Sequence, residues 1–319
     1  DLEQSTKNIY NKIKRKRWQI ALWVRDIIWS VGRWKTPELE KFIKEYSPDL
    51  IFTPVYYLYH TNRILRYAEK LTKAPMVCYI SDDIYTMQQY SLSPLYWIDR
   101  VLKRKSIKKT IAGCNCIYTV CKAQAEEYSK IFQTTCKILY RPTDSQLYPG
   151  ENCESKRNKD GKTVFIYAGN LGGERLDSIM YIGKVISEKN GIFKIYSATA
   201  IDAGTKQYFE QYNINFCGSI PHDDVVKEFE KADILVFSEG FSKKAFGLTR
   251  FSMSTKIPEY LSTGKTILAV GNKGIASIEY LRKNKVAVIA DSKNKIEEAV
   301  KICIEKQPDF SENVKRCIE

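Results

Sequence analysis

FSMSTKIPEYLSTGKTILAVG, from Phe251 to Gly271, holds a helix start, two well-placed charges, a helix stop and a strand in one short run. Ser254 or Thr255 can cap the helix, and Pro258 suits a first turn that needs no N–H donor. Gly264 can close the last turn before a strand over Lys265–Val270. A first helical turn leaves N–H groups unpaired and carries the positive end of the helix dipole, so it attracts phosphate. Lys256 adds a mobile cation at that spot. Glu259 follows one turn up the same face, where a carboxylate can accept hydrogen bonds from two neighbouring sugar hydroxyls. The same residues also describe an ordinary surface helix with a cap and an i, i+3 ion pair, and this run alone does not choose.

Around that run, short apolar stretches alternate with amphipathic ones. Before it, strands over Thr163–Ala168, Phe193–Ser197, Ile214–Cys217 and Ile234–Ser238 are separated by helices over 177–188, 203–212 and 223–231. After it come a helix over 275–283, a strand over Val286–Ala290 and helices over 294–305 and 309–318. The first half opens on an amphipathic helix over 9–31 and then follows the same plan. Its strands over Leu50–Val55, Met76–Ile80, Cys116–Val120 and Lys137–Tyr140 follow helices over 37–46, 62–71, 94–112 and 122–132. Such alternation predicts parallel sheets with crossover helices, an α/β fold in two domains over 1–145 and 160–305. A C-terminal helix in 306–319 is expected to pack back toward the first domain. The polar, aperiodic run between Pro142 and Lys162 reads as the linker.

A second phosphate signal lies in FIYAGNLGGERLD, Phe165 to Asp177, a strand followed by a glycine-rich turn and a helix start. Gly169, Gly172 and Gly173 let the backbone approach a ligand, and Arg175 can fork onto a diphosphate. The glycine spacing is not G-x-G-x-x-G, and Ser197 to Ala200 holds no acid for a ribose, which disfavours a dinucleotide. There is no GxxxxGK[ST] run either, which argues against an ATPase. A doubly wound sheet brings both helix starts to the carboxyl edge of its strands. There one diphosphate can meet Arg175, Lys256 and the Gly172 and Gly173 amides, with Glu259 on the pentose.

The 319-residue chain is 44% hydrophobic and 28% charged, a globular composition. No apolar run approaches the roughly 20 residues of a membrane span, since IALWVRDIIW is broken by Arg25 and Asp26. Nine cysteines with no CxxC pair, and only His60 and His222 beside them, point to free thiols in a reducing compartment rather than to zinc or a disulfide frame. The net charge of +14 is uneven: residues 1–150 carry 25 Lys and Arg against 14 Asp and Glu. The first half therefore meets an anionic partner. The helix over 9–31 is basic from Lys12 to Arg17 with Trp18 and Trp23 beside it, and RVLKRKSIKK, Arg100 to Lys109, is a second basic patch. That second helix is expected to anchor through Ile98, Val101, Leu102 and Ile111. Basic, aromatic helices over 9–31 and 98–111 suit an anionic membrane surface. No RNA- or DNA-binding signature accompanies them, so nucleic acid is not expected.

YAGNLGGERLD, CGSIPHDDVVKEFEKADILVFS and STKIPEYLSTGKTILAVG together resemble the nucleotide-sugar domain of GT-B glycosyltransferases, most closely those of family 4 in bacterial polysaccharide assembly. PDLIFTPV, CYISDD and CNCIYTVCKAQAEEYSKIF followed by YRPTD are similar, more weakly, to the late part of the acceptor domain. The resemblance implies two Rossmann-like domains with parallel sheets facing across a cleft, the first lacking its initial strand and glycine loop. It implies transfer of a hexosyl group, with retention, from a UDP-sugar to a hydroxyl of a membrane-associated glycan or lipid-linked acceptor. The setting would be the cytoplasmic face of the membrane, and neither metal nor cofactor is expected.

Carried over by position, Asn170, Gly172, Gly173, Arg175 and Lys256 hold the diphosphate, Glu259 the ribose, and the loop Gly218, Ser219, Ile220 and Pro221 the base. The loop EGFSKKAFGLTRFS after Ser238 approaches the sugar. Many members carry two glutamates with seven residues between them; here Phe251, eight positions before Glu259, stands where the first would be. Asp82 and Asp83, at a strand end, are candidates for orienting or deprotonating the acceptor hydroxyl, and equally for capping a turn. A GT-B-shaped nucleotide-sugar epimerase, or a non-catalytic nucleic-acid- or membrane-binding protein, are the alternatives.

Overall fold

The computed structural model describes residues 19–140, 161–306 and 308–318, and the chain divides into two units between Leu139 and Tyr140. The linker expected between Pro142 and Lys162, and the basic start of the first helix through Trp18, lie outside the described residues.

In the first unit α1 (Gln19–Val31) and α2 (Pro37–Tyr46) precede β1 (Ile51–Pro54), α3 (Tyr59–Thr72) and β2 (Met76–Ile80). They are followed by α4 (Pro94–Ile111), β3 (Cys114–Thr119), α5 (Lys122–Phe132) and β4 (Cys136–Ile138). The four strands pair in parallel in the order β1-β2-β3-β4. Alternate residues Met76, Cys78 and Ile80 of β2 are buried, as a strand covered by helices requires. Capping chemistry sets the helix starts. Thr36 accepts from Leu39 N ahead of Pro37, and Ser93 from Tyr96 N ahead of Pro94.

Two expectations for this unit are corrected. Cys78 and Cys114 form a disulfide, because neighbouring β2 and β3 bring positions 36 residues apart within 6.3 Å between Cα atoms, a pairing that no local spacing announces. The second correction concerns the orientation of α4. Of its four expected anchors only Ile111 is buried; Ile98, Val101 and Leu102 are exposed, and Asp99, Arg100 and Lys103 are buried in their place. Arg100 donates to the carbonyls of Asp83 and Thr86 and lies 3.6 Å from the Asp83 carboxylate. Lys103 lies 3.0 Å from Asp99 and 3.6 Å from Asp26, and both cations sit over the Tyr57 ring. Apart from Asp99 on the helix itself, these partners come from the β1–α3 loop, the β2–α4 loop and α1, so helical periodicity does not reveal which face turns inward.

The second unit is a six-stranded parallel sheet in the order β10-β9-β8-β5-β6-β7. Its strands are β5 (Val164–Ala168), β6 (Ile192–Tyr196), β7 (Ile214–Gly218), β8 (Ile234–Ser238), β9 (Thr266–Val270) and β10 (Val288–Ala290). The helices are α6 (Arg175–Glu188), α7 (Ala203–Gln211), α8 (His222–Glu230), α9 (Lys243–Thr249), α10 (Lys256–Ser262), α11 (Ala276–Asn284), α12 (Ile296–Glu305) and α13 (Ser311–Ile318).

Alternation along β5 builds both cores. Phe165 and Tyr167 pack with α6, α7 and α12, while Val164, Ile166 and Ala168 pack with α8, α10 and α11. The chain winds outward from β5 through β6 to β7, then returns to lay β8, β9 and β10 on the other side. The switch point therefore falls between β5 and β8, and ligands of such sheets bind beyond the carboxyl ends of the strands there. Where a loop was expected after Ser238, the structure forms α9, capped by Ser242 accepting from Ala245 N. The final helix α13, expected to pack toward the first domain, seats Val314 in the second unit's own core against α10 and α11. Asn313 Nδ2 donates to Lys285 O, 3.0 Å away, and anchors it there.

Removing one partner of a buried pair strands the other, so Arg100→Leu is expected to cost the first unit about 3 to 5 kcal/mol. Lys105→Leu, at an exposed position on the same helix, should change stability by less than about 0.5 kcal/mol. Denaturant titration of both variants measures the contrast, and equal losses would refute the role given to Arg100.

Candidate functional site

The site is built from loops at the carboxyl edge around the switch point. After β5 the chain runs through Gly169 to Glu174, with Gly173 and Glu174 both left-handed, at φ of 67° and 66°. Asn170 organises this turn: its Oδ1 accepts from Gly172 N at 2.6 Å and from Thr199 Oγ1 at 3.1 Å, and Thr199 Oγ1 accepts from Leu171 N. The Gly172 amide, expected to face a diphosphate, is thus taken by Asn170. Glu174 precedes α6 but makes no side-chain cap bond, so the 14-residue helix begins with no side-chain acceptor on its N–H groups.

Arg175, first residue of α6, turns to Glu239, the first residue of the loop expected near the sugar and not singled out as its partner. Its Nη2 donates to Glu239 Oε1 at 3.0 Å and its Nε stands 2.8 Å from Oε2, while Nη1 donates to Gly172 O. Nε and Oε2 are at ion-pair distance without an aligned hydrogen bond, and Oε2 accepts no hydrogen bond among the described residues. Glu239 directly follows β8, so the pair bridges the two strands of the switch point. Glu239 O accepts from Ser178 Oγ, and Glu239 N donates to Val270 O. Alongside, the Glu174 carboxylate accepts from Ser242 Oγ and lies 3.2 Å from Lys244 Nζ. A Cβ on Gly240 would stand 2.7 Å from Glu174 O, so only glycine allows the two loops to close. Burial pushes the Glu239 carboxyl above its ordinary value, against the pull of Arg175.

At the start of α10, Ser254 Oγ accepts from Lys256 N and Thr255 occupies the cap position without a side-chain bond. Lys256 Nζ lies 2.9 Å from Glu259 Oε2, with both side chains half-buried. One turn on, the fully buried Tyr260 hydroxyl donates to Val236 O and accepts from Ala168 N. Tyr260 thereby pins α10 across β5 and β8, and Lys256, a turn nearer the helix start, belongs to the same carboxyl edge as Arg175. The helices themselves lie on opposite faces of the sheet.

The loop Gly218 to Pro221 leaves β7, two strands from the switch point, about 10 Å across the sheet. Gly218 has φ of 71° and accepts from Ser197 N, Ser219 is exposed, Ile220 packs on the core, and Pro221 O accepts from Asp224 N and Val225 N at the head of α8. Among the described residues no three His, Cys, Asp or Glu side chains converge as a metal site would need.

In the first unit the two aspartates separate. The Asp83 carboxylate accepts from Thr86 N, Thr86 Oγ1, Tyr85 N and the Tyr128 hydroxyl, and its side chain is 2% exposed. It organises the turn over 83–86, so its candidacy as an acceptor base is corrected. Asp82 is exposed, and only Ser81 Oγ donates to its carboxylate among the described residues.

The two units have the fold of the GT-B glycosyltransferases. Three solved structures illustrate the likeness. Sucrose-phosphate synthase of Thermosynechococcus elongatus matches at TM-score 0.63 and 11% identity, over 88% of this chain and 71% of that one. HepE of Anabaena in complex with UDP matches at 0.62 and 14% identity, over 89% and 77%. A glycosyltransferase of Rickettsia africae matches at 0.55 and 12% identity, over 90% and 82%. No protein-family model and no curated protein matches the chain.

Glu239 provides a test of this electrostatic picture. Its raised value means that the protonated form favours the fold, a contribution lost as pH rises past that value. Glu239→Gln should therefore gain stability relative to the parent as pH climbs above the ordinary glutamate value of 4.5. Parallel pH–stability profiles from chemical denaturation would contradict it.

Proposed function

We propose that the chain transfers a hexosyl group from a UDP-sugar to a hydroxyl of a membrane-associated glycan or lipid-linked acceptor, with retention, in a family 4 type of polysaccharide assembly. The observation that carries this reading is Arg175 at the uncapped start of α6, on the switch point of a doubly wound sheet. Similar structures support the donor class: HepE is known with UDP and also with UDP-glucose.

In this reading the donor's anomeric carbon–oxygen bond breaks, the diphosphate leaves with the electron pair, and the acceptor oxygen bonds to that carbon as its proton departs. Arg175, Lys256 and the α6 dipole neutralise the growing charge on the leaving diphosphate. Glu259 releases Lys256 and takes the ribose hydroxyls, while Gly218 to Pro221 border the base. Asn170 holds the turn in shape rather than meeting the ligand. Glu239 reaches the sugar edge of the site and keeps Arg175 aimed. Asp82 is the remaining candidate on the acceptor side. No metal is assigned a role. The exposed cations of α4 face an anionic membrane at the cytoplasmic side.

Thermal unfolding with UDP, GDP and ADP and their sugars tests this. UDP or a UDP-sugar at roughly a hundredfold over its Kd should stabilise the chain by about 2.7 kcal/mol. Arg175→Ala, Lys256→Ala and Glu259→Ala should remove the shift, and absence of a shift with every nucleotide would overturn the proposal. In a transfer assay, Lys256→Ala should lower kcat by about 10²- to 10³-fold. Turnover of a UDP-sugar without any transfer product would point to an epimerase instead.

A further inference from the structure

The first unit exposes a face that a water-soluble surface does not explain. On α1, Val24, Ile27, Ile28 and Val31 follow helical spacing and are each at least half exposed. On α4, Ile98 and Leu102 are likewise at least half exposed and Leu95 is 38% exposed, because this part of the helix turns Asp99, Arg100 and Lys103 inward. Between the helices lies a groove of about 630 Å³, walled by Trp23, Ile27, Tyr59, Ile98 and Leu102.

The charge pattern of this face has one sign. Its acids are turned away or already paired: Asp99 accepts from Trp23 Nε1 at 2.9 Å and meets Lys103, and Asp26 meets Arg25 and Lys103. Lys105 and Lys109 line the groove and Lys108 lies beside them, all exposed, and none meets a carboxylate among the described residues. An apolar stripe rimmed by unpaired cations matches the interface of an anionic bilayer, where acyl chains take the apolar part and phosphates the lysines. A protein partner would need a surface at once apolar and acidic, which is the rarer match.

We propose that α1 and α4 dock on an anionic phospholipid bilayer, with one acyl chain entering the groove and headgroup phosphates meeting Lys105, Lys108 and Lys109. The docking rests on the membrane half of the functional proposal and not on its donor half. It gives the basic helices a defined orientation, in which the Arg100 and Lys103 cations play no part in lipid binding because they hold the unit together.

The test is cosedimentation of the full chain with vesicles of phosphatidylcholine containing about 30% phosphatidylglycerol, and with phosphatidylcholine alone. Binding should require the anionic lipid and weaken with salt. Lys105→Gln with Lys109→Gln should weaken partitioning on the order of tenfold, and Ile27→Gln with Leu102→Gln should do likewise at unchanged melting temperature. Both double variants should keep the UDP-induced thermal shift. Failure to bind, or binding that both variants leave intact, overturns the proposal. So does a concentration-dependent dimer that the apolar variant abolishes without any vesicle binding, since a second copy would then cover the face. Binding lost only when Lys12 to Arg17 are neutralised would assign the membrane contact to that segment instead. A chain that binds vesicles yet shows no nucleotide shift would sink the donor reading and leave this one standing.

Discussion

The pair between Arg175 and Glu239 is the constraint on which the second unit's edge depends. It joins the loop after β5 to the residue after β8, the one place where the winding of the sheet leaves two neighbouring strands with their connections running apart. A carboxylate this buried is costly unless a cation faces it, and an arginine fork meets it with a guanidinium that stays charged. Around the pair, Ser178, Asn170 and the Glu174 to Ser242 contact fix the same two loops, so the geometry of the crevice is over-determined. Such redundancy is what a site needs if a cation is to be aimed rather than merely present.

The second unit was legible where local chemistry decides. The apolar runs ILVFS and TILAV, each followed by a glycine within two residues, read directly as strands that end in a turn. Arg175, Lys256 and Glu259 stood out because helix starts advertise themselves by proline, small polar caps and glycine stops. Glu239 escaped notice although a signal existed, an acid placed directly after a fully buried strand. Its partner lies 64 residues away, and nothing local ties them. α9 was missed for a related reason: two turns capped by one serine carry too little periodicity to separate from a loop.

The first unit misled because its energetics are less local. Hydrophobic spacing along α4 correctly announced a helix and the inward turn of Ile111, and wrongly announced which side is inside over Ile98 to Leu102. Arg100 and Lys103 have long stems that pack like apolar chains, and their heads find carbonyls and carboxylates gathered from α1, α4 itself and the turn at Asp83. The same turn explains why one of two adjacent aspartates became structural: Asp83 collects donors from Thr86, Tyr85 and Tyr128, while Asp82 points away from them. The disulfide could not be inferred from spacing, since it depends on strand neighbours, and a turn acid was one reading of both aspartates without a local sign of which of them caps it.

Each cation of the proposed donor edge has a carboxylate beside it, Glu239 for Arg175 and Glu259 for Lys256. Under the proposed reading these acids keep the two positive groups in working posture and the crevice close to neutral. A diphosphate would have to compete with them for the cations, which favours a larger ligand able to make several contacts at once over a lone phosphate.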